Sequence, residues 1–139
     1  MLCFKKYGPL SPLAIPLLLI TLICPAPCYS KTISAYVKWV VDGDTIVITG
    51  GEKARYVGID TPEQGEPFFR EAKQRNASLV KGKKVTLVIC EQEPRDKYGR
   101  LLAFVYSDGV FVNRALLEEG LAKRLIIPPC GLPVGREFK

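Results

Sequence analysis

Carboxylates and arginines gather in three short segments of this 139-residue chain. The segments are residues 40–46 (VVDGDTI), 55–63 (RYVGIDTPE) and 96–100 (DKYGR). Taken singly, they are typical of a hairpin turn, a structural ion pair and a charged loop. Together they offer hard oxygen ligands, two guanidinium groups and one spare carboxylate, which is a set of groups suited to chemistry on a phosphate ester.

Asp44 and Asp60 are the candidate metal ligands. Each lies at the end of a predicted strand, and the two strands could be neighbours in one sheet. Carboxylates that converge without histidine or thiolate form a hard oxygen site, which suits Ca²⁺ or Mg²⁺. Two carboxylates, a backbone carbonyl and water molecules would satisfy the flexible coordination of Ca²⁺.

Arg55 and Arg100 are the candidate phosphate-binding groups. Strand alternation predicts that Arg55 shares a face with Val57 and Ile59, so its guanidinium needs an anionic partner or an opening to water. Glu63 is a candidate partner. Two arginines beside a divalent cation are unfavourable unless a polyanion lies among them, and a phosphodiester in its transition state supplies that charge. Glu63 would then orient or deprotonate a water molecule.

The composition excludes several kinds of hydrolase. The chain has no histidine, which excludes a Ser-His-Asp triad, a histidine-pair ribonuclease, a histidine-metal nuclease and the usual zinc hydrolase site. The net charge is +6, and it is +4 after residue 30, because Lys5 and Lys6 are the only charged residues before that point. This mildly basic balance favours an anionic partner.

The elements that must position these groups are predicted as three strands, a helix, two strands and a second helix. The strands are expected at residues 33–41, 46–49, 53–59, 85–90 and 101–106. This order favours a mainly β fold with helices, of the α+β class. We expect a five-stranded barrel of the oligonucleotide-binding type with two helices, whose strand face suits nucleic acid.

The helices are bounded by turn and capping residues. Pro67 is expected to open the first helix, which runs to Val80 and stops at Gly82. Its apolar face is predicted to contain Phe68, Ala72 and Leu79. The second helix is predicted to be capped by Asn113 and to end at Gly120.

Residues 1–30 resemble a secretory signal peptide. Lys5 and Lys6 precede an apolar run at 13–23, which is shorter than the roughly 20 residues of a membrane-spanning helix. An uncleaved N-terminal anchor is the alternative. We therefore expect an exported protein with a domain at 31–139. Export would allow Cys90 and Cys130 to pair, and the sequence leaves that pairing open.

The three segments, in this order and spacing, resemble the thermonuclease (staphylococcal-nuclease-like) family. Residues 108–113 (DGVFVN) and 119–123 (EGLAK) resemble it as well, so that the resemblance covers about 33–123. It implies the five-stranded barrel. It also implies a Ca²⁺-dependent endonuclease that hydrolyses DNA and RNA with little sequence preference and leaves 3′-phosphate ends.

The resemblance assigns a role to each matching position. Asp44 and Asp60 match the carboxylates that bind Ca²⁺, and Thr61 matches the residue that offers its backbone carbonyl. Arg55 and Arg100 match the arginines that bind and stabilise the reacting phosphate.

Four further positions have implied roles. Glu63 matches the general base or water-positioning residue. Asp42 matches an acidic residue near the metal, outside its direct ligands. Lys97 and Tyr98 match residues that contact nucleotide phosphate. After loss of the signal peptide, we expect a monomer with no stable membrane association and with nucleic acid as its substrate.

Two alternatives and two departures from the family pattern stay open. The same barrel could bind nucleic acid without cutting it, or serve as a structural calcium-binding domain, which would leave Arg55 and Arg100 unexplained. Ile126 stands near positions where the family commonly has stacking aromatics. The chain also ends about where a third helix would begin, and this predicts an early-terminated form that exposes apolar surface around Leu116 and Leu117.

Overall fold

A closed barrel of five strands forms the body of the structure, a computed structural model that describes residues 31–130. In chain order the elements are β1 (Thr32–Val40), β2 (Thr45–Ile48), β3 (Lys53–Tyr56), β4 (Ile59–Asp60), α1 (Phe69–Val80), β5 (Lys84–Ile89), β6 (Leu101–Ser107), β7 (Val110–Phe111), α2 (Val112–Glu118) and β8 (Lys123–Arg124).

The barrel closes through one parallel pair of strands. The strands follow the order β3-β2-β1-β5-β6, β7 pairs antiparallel with the end of β6, and β3 pairs in parallel with β6 to close the circle. Strands β4 and β8 form a separate two-stranded ribbon. The predicted α+β class and oligonucleotide-binding-type barrel with two helices are therefore confirmed.

Alternation along β2 and β3 separates the inside of the barrel from its outer face. Ile46, Ile48, Ala54 and Tyr56 are buried in the main core, and the residues between them point outwards because successive side chains of a strand alternate. The core is completed by apolar residues of the other strands and both helices, among them Val37, Val85, Leu87, Val105, Val112 and Leu116.

The third strand ends earlier than its sequence predicts. It stops at Tyr56, because the chain turns at Gly58, whose φ of 80° lies in the left-handed region that glycine tolerates. Ile59 then enters the main core, whereas Val57 joins a second apolar cluster. The predicted shared face of Arg55, Val57 and Ile59 is therefore wrong.

The first helix begins at Phe69 and not at Pro67. Phe68 precedes it with a left-handed φ of 68° and is 62% exposed, so its predicted place on the apolar face is wrong. The buried face is formed by Ala72, Asn76 and Val80. Their spacing of four residues is the spacing of one helix face.

Asn113 does not cap the second helix, which begins at Val112. Its buried side chain instead accepts a hydrogen bond from the Val105 N–H at 3.0 Å and donates one to the Val57 carbonyl at 2.8 Å. Asn113 thus ties the helix to β6 and to the turn after β3.

The predicted apolar exposure around the second helix is wrong for Leu116, which is fully buried in the main core. Leu117 is partly buried and packs against the same core. The predicted signal peptide at 1–30 and the chain end at 131–139 lie outside the described residues. Within 31–130, no helix has the length and apolarity needed to span a membrane.

A disulfide joins Cys90, directly after β5, to Cys130. Both cysteines lie in the second apolar cluster with Val57 and Phe104 on the outside of the barrel. The bridge therefore fastens the segment that follows β8 to the barrel wall.

Loss of this disulfide should destabilise the protein by about 3–4 kcal/mol, because the bridge restricts the unfolded chain over a loop of this length. The cysteines are separated by 40 residues. Denaturant unfolding with and without reductant will measure the difference in the free energy of unfolding. Reductant should leave the Cys90→Ser/Cys130→Ser variant unchanged. A change below about 1 kcal/mol in the unsubstituted protein would contradict this prediction.

Candidate active site

The loop between β1 and β2 places a buried carboxylate at the barrel wall. Asp42 Oδ1 accepts the Asp44 N–H at 3.0 Å, which confirms the predicted turn. Asp44 is only 5% exposed. Its Oδ2 accepts the Thr61 N–H at 2.9 Å, and its Oδ1 accepts the Thr45 hydroxyl at 3.2 Å. The loop and the residue after β4 are therefore held together through the Asp44 carboxylate.

Gly43 is required by this close approach. A Cβ built on Gly43 would lie 2.6 Å from Thr61 Oγ1 and 2.7 Å from Thr61 Cβ. No side chain fits there unless Thr61 moves, so the glycine permits contact between the two segments that hold Asp44 and Asp60.

Arg55 links the two carboxylates that the sequence predicts as metal ligands. Its Nη1 lies 2.9 Å from Asp44 Oδ2, and its Nη2 lies 3.0 Å from Asp60 Oδ1. Nη1 also donates to the carbonyls of Tyr56 and Ile59, at 2.9 and 3.0 Å. The predicted pairing of Arg55 with Glu63 is not observed, since both of its ion-pair partners among residues 31–130 are aspartates.

The surroundings of Asp44 disfavour its negative charge. Burial raises the pKa of Asp44 to about 6, and the nearby Asp42 charge adds to this effect, whereas Arg55 and the Thr61 hydrogen bond oppose it. A buried carboxylate held in this way is stabilised in its charged form by additional positive charge.

The oxygen groups at this place fit a hard cation. Asp44, Asp60 and the Thr61 backbone lie together, with Asp42 beside them. Carboxylate and carbonyl oxygens are the ligands of Ca²⁺, which readily takes further ligands from water. Across residues 31–130, no three Cys, Asp or Glu side chains form a group that could hold a metal ion. Any ion here would therefore depend on the carbonyl and on water.

The loop at 96–100 is fastened by its own aspartate. Asp96 Oδ1 accepts the N–H groups of Tyr98 and Arg100 at 2.9 and 3.0 Å, and Oδ2 accepts Arg100 Nε at 2.7 Å. Partial burial alone would raise the pKa of Asp96, but these hydrogen bonds lower it below its ordinary value. Asp96 thereby fixes the direction of the Arg100 side chain, a role that its position in a charged loop did not predict.

Tyr98 presents an aromatic surface flanked by two cations. The side chain is 72% exposed. Lys97 Nζ lies 5.0 Å and the Arg100 guanidinium carbon 5.3 Å from the centre of its ring. Both distances fall within the range of cation–π contact.

An open cleft of about 360 Å³ unites four of the predicted residues, because Arg55, Lys97, Tyr98 and Arg100 all line it. Its apolar wall includes Leu125 and Ile127, which belong to the segment that the disulfide fastens. The cleft is thus lined by three cationic side chains, by the carboxylates of Asp96 and Glu93, and by aliphatic groups.

The remaining predicted site residues do not line this cleft. Asp44 and Asp60 connect to it through Arg55, and Thr61 connects through Asp44. Glu63 is exposed on the segment before α1 and does not line the cleft. Its carboxylate forms no ion pair with another residue of the described part of the chain, so it is open to water.

Asn76 and Tyr56 position the aspartate loop, and sequence reasoning missed both. The buried Tyr56 hydroxyl donates to Asn76 Oδ1 at 2.8 Å, and Asn76 Nδ2 donates to the Asp42 carbonyl at 3.0 Å. Helix α1 therefore supports the loop through one amide side chain. An asparagine midway between Ala72 and Val80 on a buried helix face was the signal that could have revealed it.

Comparisons of the sequence with known proteins find several relatives. A sequence profile described as "Staphylococcal nuclease homologue" matches residues 53–130. The chain is 43% identical over 102 residues to Endonuclease YncB of Bacillus subtilis (strain 168), covering 67% of this chain and 48% of that protein. It is 37% identical over 105 residues to a Thermonuclease of Staphylococcus intermedius, covering 69% and 62%.

A third relative matches over a larger share of its length. It is an uncharacterized endonuclease of Escherichia coli, 39% identical over 112 residues, with 78% of this chain and 70% of that protein covered. The chain spans only about half of YncB and about three fifths of the Staphylococcus intermedius protein.

Proposed function

Because this chain belongs to the family of staphylococcal nuclease homologues, we propose that it is a Ca²⁺-dependent endonuclease. Its substrates are DNA and RNA, which it hydrolyses at phosphodiester bonds with little sequence preference, leaving 3′-phosphate ends. The observation that carries the proposal is the meeting of Arg55 and Arg100 in one cleft, with Asp44 and Asp60 gathered around Arg55.

The two arginines bind the phosphate and stabilise the charge that grows on it. Arg55 is held by two aspartates and two carbonyls, and Arg100 is held by Asp96. Their guanidinium groups are therefore oriented before substrate arrives, which is the condition under which fixed charges lower a barrier most.

Asp44, Asp60 and the Thr61 carbonyl would hold the metal ion, and Asp42 would support it without direct contact. When bound, Ca²⁺ supplies positive charge to the reacting phosphate. The ion would also balance the buried Asp44 carboxylate, whose charged form the protein disfavours.

Glu63 is the proposed base. It takes a proton from the attacking water while the water oxygen forms a bond to phosphorus. The bond from phosphorus to the 5′-oxygen breaks, that oxygen leaves with the bonding electrons and takes a proton from water, and the phosphate stays on the 3′ side. The support is its carboxylate, which is exposed, forms no ion pair within residues 31–130 and lies three residues after Asp60; a base at such a site commonly contributes about 10²–10⁴ in rate.

Lys97 and Tyr98 are the proposed substrate-binding residues, and their contacts fall on phosphate and on base faces. Every base has a flat face, so stacking of this kind gives little sequence preference. Leu125 and Ile127 line the cleft beside them, where this chain lacks stacking aromatics. We therefore expect weaker base stacking in the cleft than an aromatic side chain there would give.

We also propose that the protein is exported and acts as a monomer without stable membrane association. The signal-like sequence at 1–30 supports export, and so does the Cys90–Cys130 disulfide, since disulfides persist mainly in oxidising compartments.

The alternative function is a nucleic-acid-binding barrel without catalysis. Incubation of the full chain with plasmid DNA and with RNA, in Ca²⁺, will separate the two, because a binding module shifts the mobility of the nucleic acid but leaves its bonds intact. Sensitivity of the product 3′ ends to phosphatase will identify the bond that is broken. Intact substrate at high protein concentration would contradict the proposal.

Glu63→Gln should lower kcat by at least about 10²-fold and leave KM nearly unchanged, because it keeps the shape of the side chain and removes the base. Glu71→Gln is the matched control, since Glu71 is exposed in the first turn of α1 and lies outside the cleft. Steady-state kinetics on a single-stranded oligonucleotide will provide both constants. Equal kcat values for the two variants would remove Glu63 from the mechanism.

A further inference from the structure

Strand β1 presents two large aromatic side chains to solvent, away from the catalytic cleft. Tyr36 is 58% exposed and Trp39 is 53% exposed, and the exposed Lys38 lies between them. None of the three lines the cleft. Exposed aromatic rings interleaved with lysine are the groups that hold single-stranded nucleic acid by stacking and by charge.

An irregularity in β1 produces this arrangement. The pairing of β1 with β2 shifts between Val37 and Trp39, so that one extra residue is inserted there. Val37 and Val40 both point into the main core. The two residues between them, Lys38 and Trp39, are consequently both exposed, where regular alternation would have buried one of them.

Two lysines beside these rings are available to bind an anionic ligand. Lys84 lies opposite Tyr36 in the pairing of β1 with β5. Neither Lys38 nor Lys84 forms an ion pair with another residue in the described range, whereas the adjacent Lys83 is paired with Asp108. We call Tyr36, Lys38, Trp39 and Lys84 the β1 patch.

The β1 patch lies on the same outer side of the sheet as Arg55, with the buried Val47 between them. Trp39 lies opposite Val47, and Val47 lies opposite Lys53. Lys53 and Arg55 are two residues apart on β3 and therefore point to the same face. With strands about 4.8 Å apart and a rise of about 3.4 Å per residue, the Cα atoms of Trp39 and Arg55 are separated by roughly 12 Å.

We propose that the β1 patch is an accessory binding surface for single-stranded nucleic acid, which holds the strand a few nucleotides from the phosphate at the cleft. This inference extends the proposed nuclease function, but binding at the patch does not require cleavage. A single strand is the fitting ligand because its bases are free to stack on Tyr36 and Trp39. In a duplex those base faces are already occupied.

Fluorescence tests this directly, since Trp39 is the only tryptophan of the chain. In the presence of a chelator, the full chain is titrated with an oligothymidylate of 20 nucleotides. Separate titrations use a trinucleotide, a blunt-ended duplex and heparin. We expect saturable quenching by the 20-residue strand alone. Quenching by the trinucleotide would place the signal at the cleft, and equal quenching by heparin would show a general polyanion site. Either result would overturn the proposal, as would preferential quenching by the duplex.

Binding by variants provides the second measurement. Tyr36→Ala and Trp39→Ala should each weaken binding of a labelled 20-residue strand about five-fold or more, which is the lower range of one stacked base. Binding of the trinucleotide should stay unchanged. Phe68→Ala is the matched control, because it removes an exposed aromatic ring outside the sheet. Trp39→Phe should restore most of the affinity, which separates stacking from a loss of folding.

Lys38 should add a salt-dependent contribution to the affinity of the β1 patch for a single strand. Lys38→Ala is expected to reduce the slope of log affinity against log salt by about 0.7, the value of one phosphate contact on a single strand. Arg70→Ala, which removes an exposed charge on α1, should leave the slope unchanged.

The outcomes also distinguish this inference from the nuclease proposal. If the protein shows the expected quenching but cleaves no substrate, the inference about the binding surface stands and the proposed nuclease function is wrong. A protein that cuts plasmid DNA normally, with no quenching of Trp39 and equal affinity in all β1 patch variants, would overturn the inference.

Discussion

Replacement of Arg55 by alanine should reduce kcat by about 10²–10³-fold and destabilise the metal-free protein by roughly 3–5 kcal/mol. The rate effect would follow from its place in the cleft, where its charge interacts more strongly with the phosphate as negative charge grows there. KM should rise much less than kcat falls, because the interaction is made mainly in the transition state.

The loss of stability has a separate cause. Arg55 is an ion-pair partner of Asp44, a carboxylate buried in the barrel wall. Without the guanidinium, that carboxylate has no compensating cation, and removal of one partner of a buried pair is strongly destabilising. Addition of Ca²⁺ should recover part of the stability but none of the lost rate, because the ion would replace Arg55 beside Asp44 and not beside the phosphate.

Two further variants make this experiment specific. Arg55→Lys keeps the charge but loses the forked geometry that reaches Asp44 and Asp60 together, so it should restore little of the activity. Arg75→Ala is the matched control, since Arg75 pairs with Glu119 at the surface, and exposed pairs contribute only about 0–1 kcal/mol. Urea unfolding and steady-state kinetics provide the two quantities.

Arg100→Ala should show the same fall in kcat as Arg55→Ala, since both arginines line the cleft. Its effect on stability should be smaller, because Asp96 keeps the hydrogen bonds from the N–H groups of Tyr98 and Arg100. Near-normal kcat in both arginine variants would refute the assigned roles.

Removal of Ca²⁺ should abolish cleavage altogether. The proposed ligands are the oxygen atoms of two aspartates and one backbone carbonyl, and a chelator that binds Ca²⁺ tightly would leave Asp44 and Asp60 without the ion. Cleavage measured in excess chelator and after Ca²⁺ is restored gives the result. Full activity in chelator would mean that the reaction proceeds on the arginines and Glu63 alone.

Binding of the ion has a signature that is independent of activity. Ca²⁺ at 100 times its dissociation constant should stabilise the folded chain by about 2.7 kcal/mol, because it binds only the folded state. Asp44→Asn should remove this stabilisation. Asp108→Asn, which alters an exposed carboxylate paired with Lys83, should retain it. Thermal unfolding with and without Ca²⁺ measures this stabilisation in the unsubstituted protein and in both variants. If Ca²⁺ still stabilises Asp44→Asn, the ion binds elsewhere.

The sequence alone determined which chemical groups are available and where the regular elements lie. The absence of histidine restricted any hydrolysis to carboxylates, arginines, a hard metal ion or a cysteine, and the three polar segments supply the carboxylates and arginines. Runs of β-branched and aromatic residues bounded by turn signals located the barrel strands to within one or two residues, except at the end of β3. Such features are local, because side-chain direction in a strand and conformation in a tight turn depend on neighbouring residues.

The tertiary structure decided which groups meet. It paired Arg55 with Asp44 and Asp60 instead of Glu63, and it joined Cys90 to Cys130. Choices of this kind depend on contacts between residues far apart in the chain.

The two buried asparagines and the first helix show the same dependence. Asn76 reaches the Asp42 carbonyl 34 residues away, and Asn113 reaches the Val57 carbonyl 56 residues away. A capping preference could not foresee this, because an asparagine side chain bonds wherever a buried backbone group lacks a partner. The first helix likewise began two residues after Pro67, since Phe68 adopts a left-handed conformation before it.

The irregularity in β1 was also beyond the sequence pattern. Residues 36–40 (YVKWV) do not alternate strictly between apolar and polar side chains, and only the pairing of β1 with β2 shows that Val37 and Val40 both face the core. Because one inserted residue reverses the direction of every side chain after it, the exposure of Lys38 and Trp39 was decided by the barrel and not by the strand itself.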